Sequence, residues 1–288
     1  MFSSRPPTPP RRSVLFVPGS NLRALAKAHA LACDAVVLDL EDSVAPEMKD
    51  EARRNVVAAA TTFPGKEVIV RVNSLDSEWG MDDLTALVRL FGDIDGILAP
   101  KITDAASATR YAARLGPHPD RVRLWLMVET TRALFNLEAF AAIRRVSALV
   151  LGLNDLGLEL GAQAGADRLP FHSAMSMMVM ACRANGVTAL DSVFNGVEDE
   201  LGFEREARQA RAFGFDGKTL IHPGQIAPCN RAFSPSPDEV AWAEAVVAGF
   251  KAVEGLIPAP GAIRVGGAMV ERLHLDHARR ILAAAQKG

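Results

Sequence analysis

The strings VVLDL at Val36–Leu40 and ALVLGL at Ala148–Leu153 are short apolar runs in which polar and apolar residues do not alternate regularly. Strands that are covered by helices on both faces have this composition. Similar runs recur along the chain, and each is followed by a longer segment whose apolar residues are spaced as in a helix. The pattern predicts repeated strand–helix units and a parallel sheet.

Eight such units fill the chain up to about Pro235. An open doubly wound sheet would contain similar strings, but eight units in a chain of this length favour closure. We therefore predict an α/β fold, a (β/α)8 TIM barrel over residues 13–235. The predicted strands are Ser13–Val17, Ala35–Leu40, Glu67–Val72, Asp95–Ala99, Val122–Val128, Val146–Leu151, Thr188–Leu190 and Gly217–Ile221.

The two ends of the chain differ from the barrel units. Residues 1–12 are rich in proline, which predicts a disordered N-terminal tail. Residues 236–288 predict a C-terminal helical extension, which we expect to pack on the barrel mouth or on a neighbouring subunit. It comprises a helix at Asp238–Gly255, a turn at Ile257–Gly261, an extended stretch around Ile263–Val270 and a helix at His274–Gln286.

Composition excludes several classes of protein. The 288 residues carry a net charge of −2, so no overall positive field exists to bind nucleic acid or an anionic membrane. No apolar run approaches the roughly 18 residues of a spanning helix. The three cysteines are widely spaced and form no CxxC pair, which indicates neither a disulfide framework nor a cysteine metal site. We predict a soluble, cytoplasmic protein.

Acidic residues follow several predicted strands, namely Glu41, Asp42, Glu129, Asp155 and Asp191. In a barrel these strand ends share one rim, where carboxylates repel one another unless a cation is present. Magnesium prefers oxygen ligands and is often held by one or two carboxylates. Glu129 and Asp155 follow consecutive strands, so we predict that they bind the metal. The alternative for Asp155, and less so for Glu129, is a cap of the following helix.

Nine strings, in order along the chain, give this sequence a family resemblance. They are RSVLFVPGSN, VVLDLEDSV, KDEARRNV, VIVRVNS, LAPK, MVET, GLNDLGLELG, GFDGKTLIHPGQI and VGGAMVERLHLDHARRIL. From about Arg12 to the C-terminus the chain resembles the HpcH/HpaI aldolase and citrate lyase family, and within it the branch of citrate lyase beta subunits and malyl-CoA or citramalyl-CoA lyases. The motifs are specific for the branch and less specific for the substrate.

The resemblance implies a magnesium-dependent barrel that is usually a trimer. It places the metal on Glu129 and Asp155, the same pair that the strand pattern indicates. It places the substrate-binding arginine on Arg71, whose guanidinium can bind a carboxylate or an enolate oxygen; the alternative is an ion pair with a rim carboxylate. Glu41 and Asp42 match the family's acidic pair, which would hold metal-bound water or a catalytic proton; the alternative is a helix cap and surface charge.

Further residues are candidates through the same resemblance. Lys101 matches the family's lysine after the fourth strand and would balance the carboxylates; otherwise it is an exposed strand-end lysine. Asn154, beside the predicted metal ligand, is a further substrate-binding candidate. His222 lies in a segment that would shape the mouth of the barrel.

Coenzyme A is polyanionic, so an acidic protein needs local cations to bind it. Arg12, Arg23 and Lys27 lie around the first strand–helix loop, which the resemblance marks as the nucleotide region, and Ser20 could cap the first helix. Arg23 and Lys27 are spaced i, i+4 and share one helix face. A solvated helix face is the alternative interpretation of that pair.

The resemblance implies retro-aldol cleavage of a 3-hydroxyacyl-CoA, such as malyl-CoA or citramalyl-CoA, to acetyl-CoA and glyoxylate or pyruvate, without a Schiff-base lysine. One position departs from the family pattern. Many relatives have an aspartate in the tail motif, proposed to act as an acid or base across a subunit boundary, where this chain has Glu271. The extra methylene changes the reach of that carboxyl group.

Other functions remain open at the level of sequence. A malyl-CoA thioesterase or a citrate lyase beta subunit, acting on an acyl-carrier-protein thioester, would carry the same motifs. Metal-dependent aldolases that do not use coenzyme A belong to the same family, but the long tail and the basic first loop disfavour them. A non-catalytic barrel is disfavoured because Glu129, Asp155 and Arg71 are all present.

Overall fold

A computed structural model describes residues 10–116, 122–255 and 260–286. Eight parallel strands close into a barrel in chain order, so the predicted (β/α)8 fold is confirmed. No predicted strand end differs from the observed one by more than one residue. The barrel strands are β1 Ser13–Pro18, β2 Ala35–Asp39, β3 Glu67–Arg71, β4 Gly96–Ala99, β5 Arg123–Val128, β6 Val146–Leu151, β7 Thr188–Asp191 and β8 Gly217–Leu220. β1 closes the barrel by pairing with β8.

Helices alternate with the barrel strands and continue after β8. They are α1 Leu22–Ala28, α2 Lys49–Ala59, α3 Gly80–Leu87, α4 Ala105–Arg114, α5 Thr131–Leu134, α6 Leu137–Ala142, α7 Leu153–Leu160, α8 His172–Asn185, α9 Glu200–Phe213, α10 Ile226–Phe233, α11 Pro237–Ala252 and α12 Arg272–Ala285. Among the described residues, no helix combines the length and the apolar composition needed to cross a membrane.

Apolar side chains fill the inside of the barrel. The buried cluster consists of Val14, Ala35, Val37, Ile69, Leu98, Trp125, Met127, Ala148, Val150 and Leu190. Their neighbours along each strand face the helices and are equally buried, which explains why the strands read as continuous apolar runs. The packed interior leaves room for a site only beyond the strand ends.

The amino-terminal end of the barrel is closed by two arginines that precede β1. Arg11 is buried and donates two hydrogen bonds of 2.6 Å to Glu67, and Arg12 pairs with Asp34 at 2.9 Å. The predicted disordered tail of residues 1–12 is therefore wrong for these two positions. Residues 1–9 lie outside the described part of the chain.

Contacts divide the chain into two units between Ala232 and Phe233. The second unit contains α11, an antiparallel hairpin of β9 Ala262–Val265 and β10 Ala268–Glu271, and α12. Its own core includes Val246, Phe250, Val270 and Leu275. The helices and the extended stretch predicted for the extension are present, whereas most of the predicted turn at Ile257–Gly261 lies outside the described residues.

Candidate active site

A cavity of about 410 Å³ lies at the carboxyl ends of the barrel strands, where barrels of this architecture carry their reactive groups. Its lining residues are Phe16, Asp39, Asp42, Ser43, Arg71, Met127, Glu129, Leu151, Gly152, Leu153, Asn154, Asp155, Ser192, Val193, Asn195, Thr219 and Ile221.

The ammonium group of Lys101 lies among four of the predicted carboxylates. Its Nζ donates a hydrogen bond to Asp155 and lies 3.7 Å from Glu129 Oε1, 3.8 Å from Asp42 Oδ2 and 3.9 Å from Glu41 Oε1. The structure thus brings these five residues together at one end of the barrel. Lys101 supplies positive charge to the acidic cluster rather than extending into solvent.

The backbone of Lys101 has the left-handed conformation, with φ of 53°. Residues other than glycine seldom adopt it, because it is strained, and residues in such conformations are enriched at functional sites. In this conformation the Lys101 amide donates a hydrogen bond of 2.6 Å to Glu129 Oε1. One residue therefore offers two donors to the acidic cluster.

Glu129 and Asp155 reach the cavity from neighbouring units of the barrel. Glu129 follows β5 and is only 2% exposed, whereas Asp155 lies in the first turn of α7 and is more accessible. Gly152 lies between them, and a Cβ atom there would be 2.7 Å from Glu129 Cβ. Glycine is needed at this position because any side chain would displace the glutamate.

Burial disfavours the charged forms of two carboxylates in the cluster. It raises the pKa of Glu41 to about 8, against the attraction of Arg71. It also raises the pKa of Glu129, against the attraction of Lys101. Burial alone would lower the pKa of Lys101, but the surrounding carboxylates raise it above its ordinary value. Carboxylates this close together, away from water, require a proton or a cation.

The carboxylates of this cluster suit magnesium better than a metal ion whose ligands all come from the protein. The Lys101 ammonium contacts Asp155 and lies 3.7 Å from Glu129, so both carboxylates converge where a cation already lies. Within the described ranges, no group of three or more histidine, cysteine, aspartate or glutamate side chains could hold a metal. Magnesium commonly uses one or two protein carboxylates and completes its shell with water or substrate oxygens.

Arg71 is held mainly by a carboxylate that sequence reasoning missed. Its Nε and Nη2 donate hydrogen bonds of 2.6 and 2.7 Å to Asp39, which is fully buried within β2. Its Nη1 lies 3.1 Å from Glu41 and 3.4 Å from Asp42, and its guanidinium carbon is 4.8 Å from the centre of the Phe16 ring. Two of the three guanidinium nitrogens thus donate to Asp39, and the third, Nη1, faces Glu41 and Asp42.

Asp39 is fixed from several sides. It accepts hydrogen bonds from the Glu41 amide at 2.9 Å, the Ser43 amide at 3.2 Å and the Ser43 hydroxyl. Burial alone would raise its pKa, but the charge and hydrogen bonds of Arg71 lower it below the ordinary value. The signal in the sequence was an aspartate inside an otherwise apolar strand, which requires a buried cationic partner.

The β6 and β7 side of the cavity contains two further residues that the sequence did not indicate. Asn195 donates a hydrogen bond of 2.8 Å to the predicted substrate-binding residue Asn154. Ser192 Oγ accepts from the Leu153 amide at 3.2 Å, at the start of the helix that carries Asp155. Both follow β7, where the sequence drew attention to Asp191 instead.

Asp191 does not belong to the rim, although the sequence placed it there. Its carboxylate is fully buried and bonds to Arg168 at 2.8 Å and Lys218 at 2.7 Å. The next residue, Ser192, faces the cavity, because successive strand residues point to opposite faces.

His222 accepts a hydrogen bond from the Gly224 amide and begins a turn after β8.

The predicted coenzyme A contacts are distributed over both ends of the barrel. Arg12 precedes β1 and pairs with Asp34, at the end opposite the cavity, so its position contradicts a role at the mouth. Ser20 does not cap α1, because Asn21 accepts the capping hydrogen bond from Ala24. Arg23 and Lys27 lie on α1 with exposed side chains, as expected for either a nucleotide contact or a solvated face.

Glu271 belongs to the second unit and lies at the start of α12. Its side chain accepts from the helix backbone, and its amide donates to His274 Nδ1 at 2.9 Å, forming a capping box. Within its own unit this residue therefore has a structural role as a helix cap. Its predicted catalytic role stays a prediction.

Comparison with known proteins relates this site to a family of enzymes. Residues 12–223 match the HpcH/HpaI aldolase/citrate lyase family. A (3S)-malyl-CoA thioesterase of Cereibacter sphaeroides is 43% identical over 279 residues, which cover 96% of this chain and 95% of that protein. The citrate lyase subunit beta of Escherichia coli K12 is 36% identical, with coverage of 96% and 93%.

A solved structure agrees in fold and in bound groups. The crystal structure of CitE from Mycobacterium tuberculosis, in complex with magnesium, acetoacetate and coenzyme A, has a TM-score of 0.80 and 31% identity. The match covers 96% of this chain and 98% of that one. Relatives of this protein thus include both lyases and thioesterases. By its sequence and its closed barrel, the chain belongs to the HpcH/HpaI aldolase/citrate lyase family.

Proposed function

We propose that this protein is a magnesium-dependent enzyme that cleaves a carbon–carbon bond in a 3-hydroxyacyl-CoA of the malyl-CoA or citramalyl-CoA type. The observation that carries the proposal is the convergence of Glu129 and Asp155 on a single cation position, in a cavity at the barrel mouth. The magnesium and coenzyme A bound to CitE of Mycobacterium tuberculosis support the same assignment.

Glu129 and Asp155 would hold the metal, and when bound it would supply a Lewis acid that polarises the substrate's hydroxyl and carboxylate oxygens. Lys101 neutralises the acidic cluster through its ammonium and amide groups. Arg71 presents Nη1 toward Glu41 and Asp42, where a hydrogen-bond donor stabilises negative charge that develops on an enolate oxygen.

The reaction is a retro-aldol cleavage. A carboxylate of the Glu41–Asp42 pair accepts the proton of the substrate hydroxyl, and the carbon that bears this hydroxyl becomes a carbonyl carbon. The bond between that carbon and the carbon next to the thioester breaks. The electron pair passes to the thioester as an enolate, which takes up a proton on carbon to give acetyl-CoA. Glyoxylate or pyruvate leaves as the second product.

Thioester hydrolysis is a second candidate because the (3S)-malyl-CoA thioesterase of Cereibacter sphaeroides is similar over nearly its full length. Hydrolysis would release malate and free coenzyme A. None of the described residues that line the cavity is a histidine or a cysteine, so the lining offers no nucleophile–histidine pair for an acyl-enzyme. Direct attack by water is the route that this lining favours.

The experiment that tests the proposal supplies malyl-CoA and citramalyl-CoA to the purified protein, with magnesium and with a chelator. The 2-oxo acid is trapped as its phenylhydrazone, and free coenzyme A is measured with a thiol reagent. A magnesium-dependent 2-oxo acid signal without free thiol supports the lyase. Free thiol without 2-oxo acid supports the hydrolase, and neither signal with any thioester refutes both.

The homotrimer that the family resemblance implies, and the coenzyme A contacts of Arg23 and Lys27, remain part of this proposal. Light scattering of the purified protein would test the trimer. Binding of free coenzyme A, followed by calorimetry, would separate the proposed enzyme from family members that act on free hydroxy-oxo acids.

A further inference from the structure

Lys49 is a buried lysine whose ammonium group has all of its donors in use. It is the first residue of α2 and is only 6% exposed. Its Nζ donates hydrogen bonds of 2.8 Å to the Leu40 carbonyl, 2.8 Å to the Glu41 carbonyl and 2.7 Å to Asn73 Oδ1. An ammonium group has three donors, so this one is saturated by a fixed set of acceptors.

The acceptors of Lys49 belong to the segments that follow β2 and β3. The Leu40 carbonyl also accepts from Asn73 Nδ2 at 2.8 Å. The Glu41 carbonyl also accepts from the Val44 amide at 3.0 Å, which closes a turn across Asp42. Lys49 therefore binds the two backbone carbonyls that flank Glu41, and the second of these also closes the turn over Asp42.

The opposite side of this network is equally fixed. Asp83 accepts hydrogen bonds from the Asn73 backbone amide at 2.9 Å and from the Asn73 side-chain amide at 2.7 Å. Asp83 in turn accepts from Arg53 at 2.8 Å. Arg53 and Lys49 lie one turn apart on α2, so a single helix anchors the segments after β2 and β3.

The segment that Lys49 holds places two side chains against the cations of the site. Glu41 lies 3.1 Å from Arg71 and 3.9 Å from Lys101, and Asp42 lies 3.4 and 3.8 Å from the same two groups. Asp39 accepts hydrogen bonds from the amides of Glu41 and Ser43 in this segment, whereas Lys49 binds the Leu40 and Glu41 carbonyls. Displacement of its carbonyls would move both carboxylates.

We propose that Lys49 is a positioning residue, whose ammonium group binds the Leu40 and Glu41 carbonyls and thereby holds Glu41 and Asp42 in place for catalysis. This inference rests on the proposed function for its catalytic consequence. Its structural part, the clamp on the turn from Glu41 to Val44, can be measured independently of any activity.

The test compares Lys49→Met with a matched control, Lys66→Met. The Lys66 ammonium also donates to a backbone carbonyl, that of His29 at 3.0 Å, but it directly precedes β3 at the amino-terminal end of the barrel. Hydrogen exchange should show faster exchange of the Val44 amide in Lys49→Met, and unchanged exchange there in Lys66→Met.

Kinetics distinguish positioning from simple stabilisation. Well below the melting temperature, Lys49→Met should lower kcat by about 100-fold, the cost of a misplacement on the order of 1 Å, with a much smaller change in KM. Lys66→Met should retain kcat within about twofold. If Lys49→Met does not fold, Lys49→Gln, which can keep one hydrogen bond, should show both effects to a smaller degree.

Two results would overturn the inference. One is a Val44 amide that exchanges as in the wild type when Lys49 is replaced. The other is a loosened turn with wild-type kcat, which would make Lys49 structural only. If the wild-type protein turns over neither thioester, the proposed function fails, and hydrogen exchange alone supports or overturns the clamp.

Discussion

Replacement of Asp39 by asparagine tests the central ion pair of the site. Asp39 is fully buried and receives two short hydrogen bonds from Arg71. Loss of one member of a buried pair costs about 3–5 kcal/mol, because the remaining charge is uncompensated. Glu41 and Asp42 stay near Arg71 Nη1, so we expect the lower end, about 3 kcal/mol.

Urea unfolding followed by circular dichroism measures this loss, and a melting scan should show a decrease of roughly 6–12 °C for a chain of this size. The control is Asp50→Asn, whose side chain is 75% exposed and also pairs with an arginine. That substitution should change stability by less than about 0.5 kcal/mol. Equal stability of the Asp39→Asn variant and the wild type would refute the argument.

The pH dependence gives a second readout of the same variant. The pKa of Asp39 is lowered from 3.8 in the folded protein, so its contribution to stability is present above that pH and is lost as the pH falls through the folded value. The gap between wild type and Asp39→Asn should therefore narrow below about pH 4. A constant gap down to about pH 3 would contradict the assigned ion pair.

Four other variants test the site. Asp155→Asn should abolish magnesium-dependent turnover and weaken magnesium binding measured by calorimetry, because it removes one of two proposed ligands; unchanged binding would exclude this residue. Arg71→Lys should lower kcat by about 100-fold, since an ammonium group cannot replace the planar fork; near-normal rates would contradict its role. Glu271→Ala should lower kcat if the tail carboxyl transfers a proton, whereas a change in melting temperature alone would leave it a helix cap. Reversing Arg23 and Lys27 to glutamate should raise KM for the thioester and make it less sensitive to salt; an unchanged KM would identify a solvated helix face.

Much of the fold and part of the site could be predicted from the sequence. Strand ends were predicted within one residue, because strands buried on both faces leave an unmistakable apolar run between polar loops. Once the strand ends were located, the carboxylates that follow β2, β5 and β6 could be assigned to one site, because the strand ends of a barrel share one rim. Asp39 was missed because only the acidic residues that follow the predicted strands were considered as site carboxylates, and Asp39 lies within one.

The sequence by itself determined the closed barrel, the family and the acidic residues at one end, because these depend on the order and periodicity of residues along the chain. Only the tertiary structure decided which side chains meet. Asp191 and Ser192 are neighbours in sequence, yet the alternation of strand side chains sends one to a buried ion pair and the other to the cavity. The hydrogen bonds from Lys49 to the Leu40 and Glu41 carbonyls likewise join residues of separate elements. No local sequence pattern encodes these bonds, because they depend on where a helix packs against the strand ends.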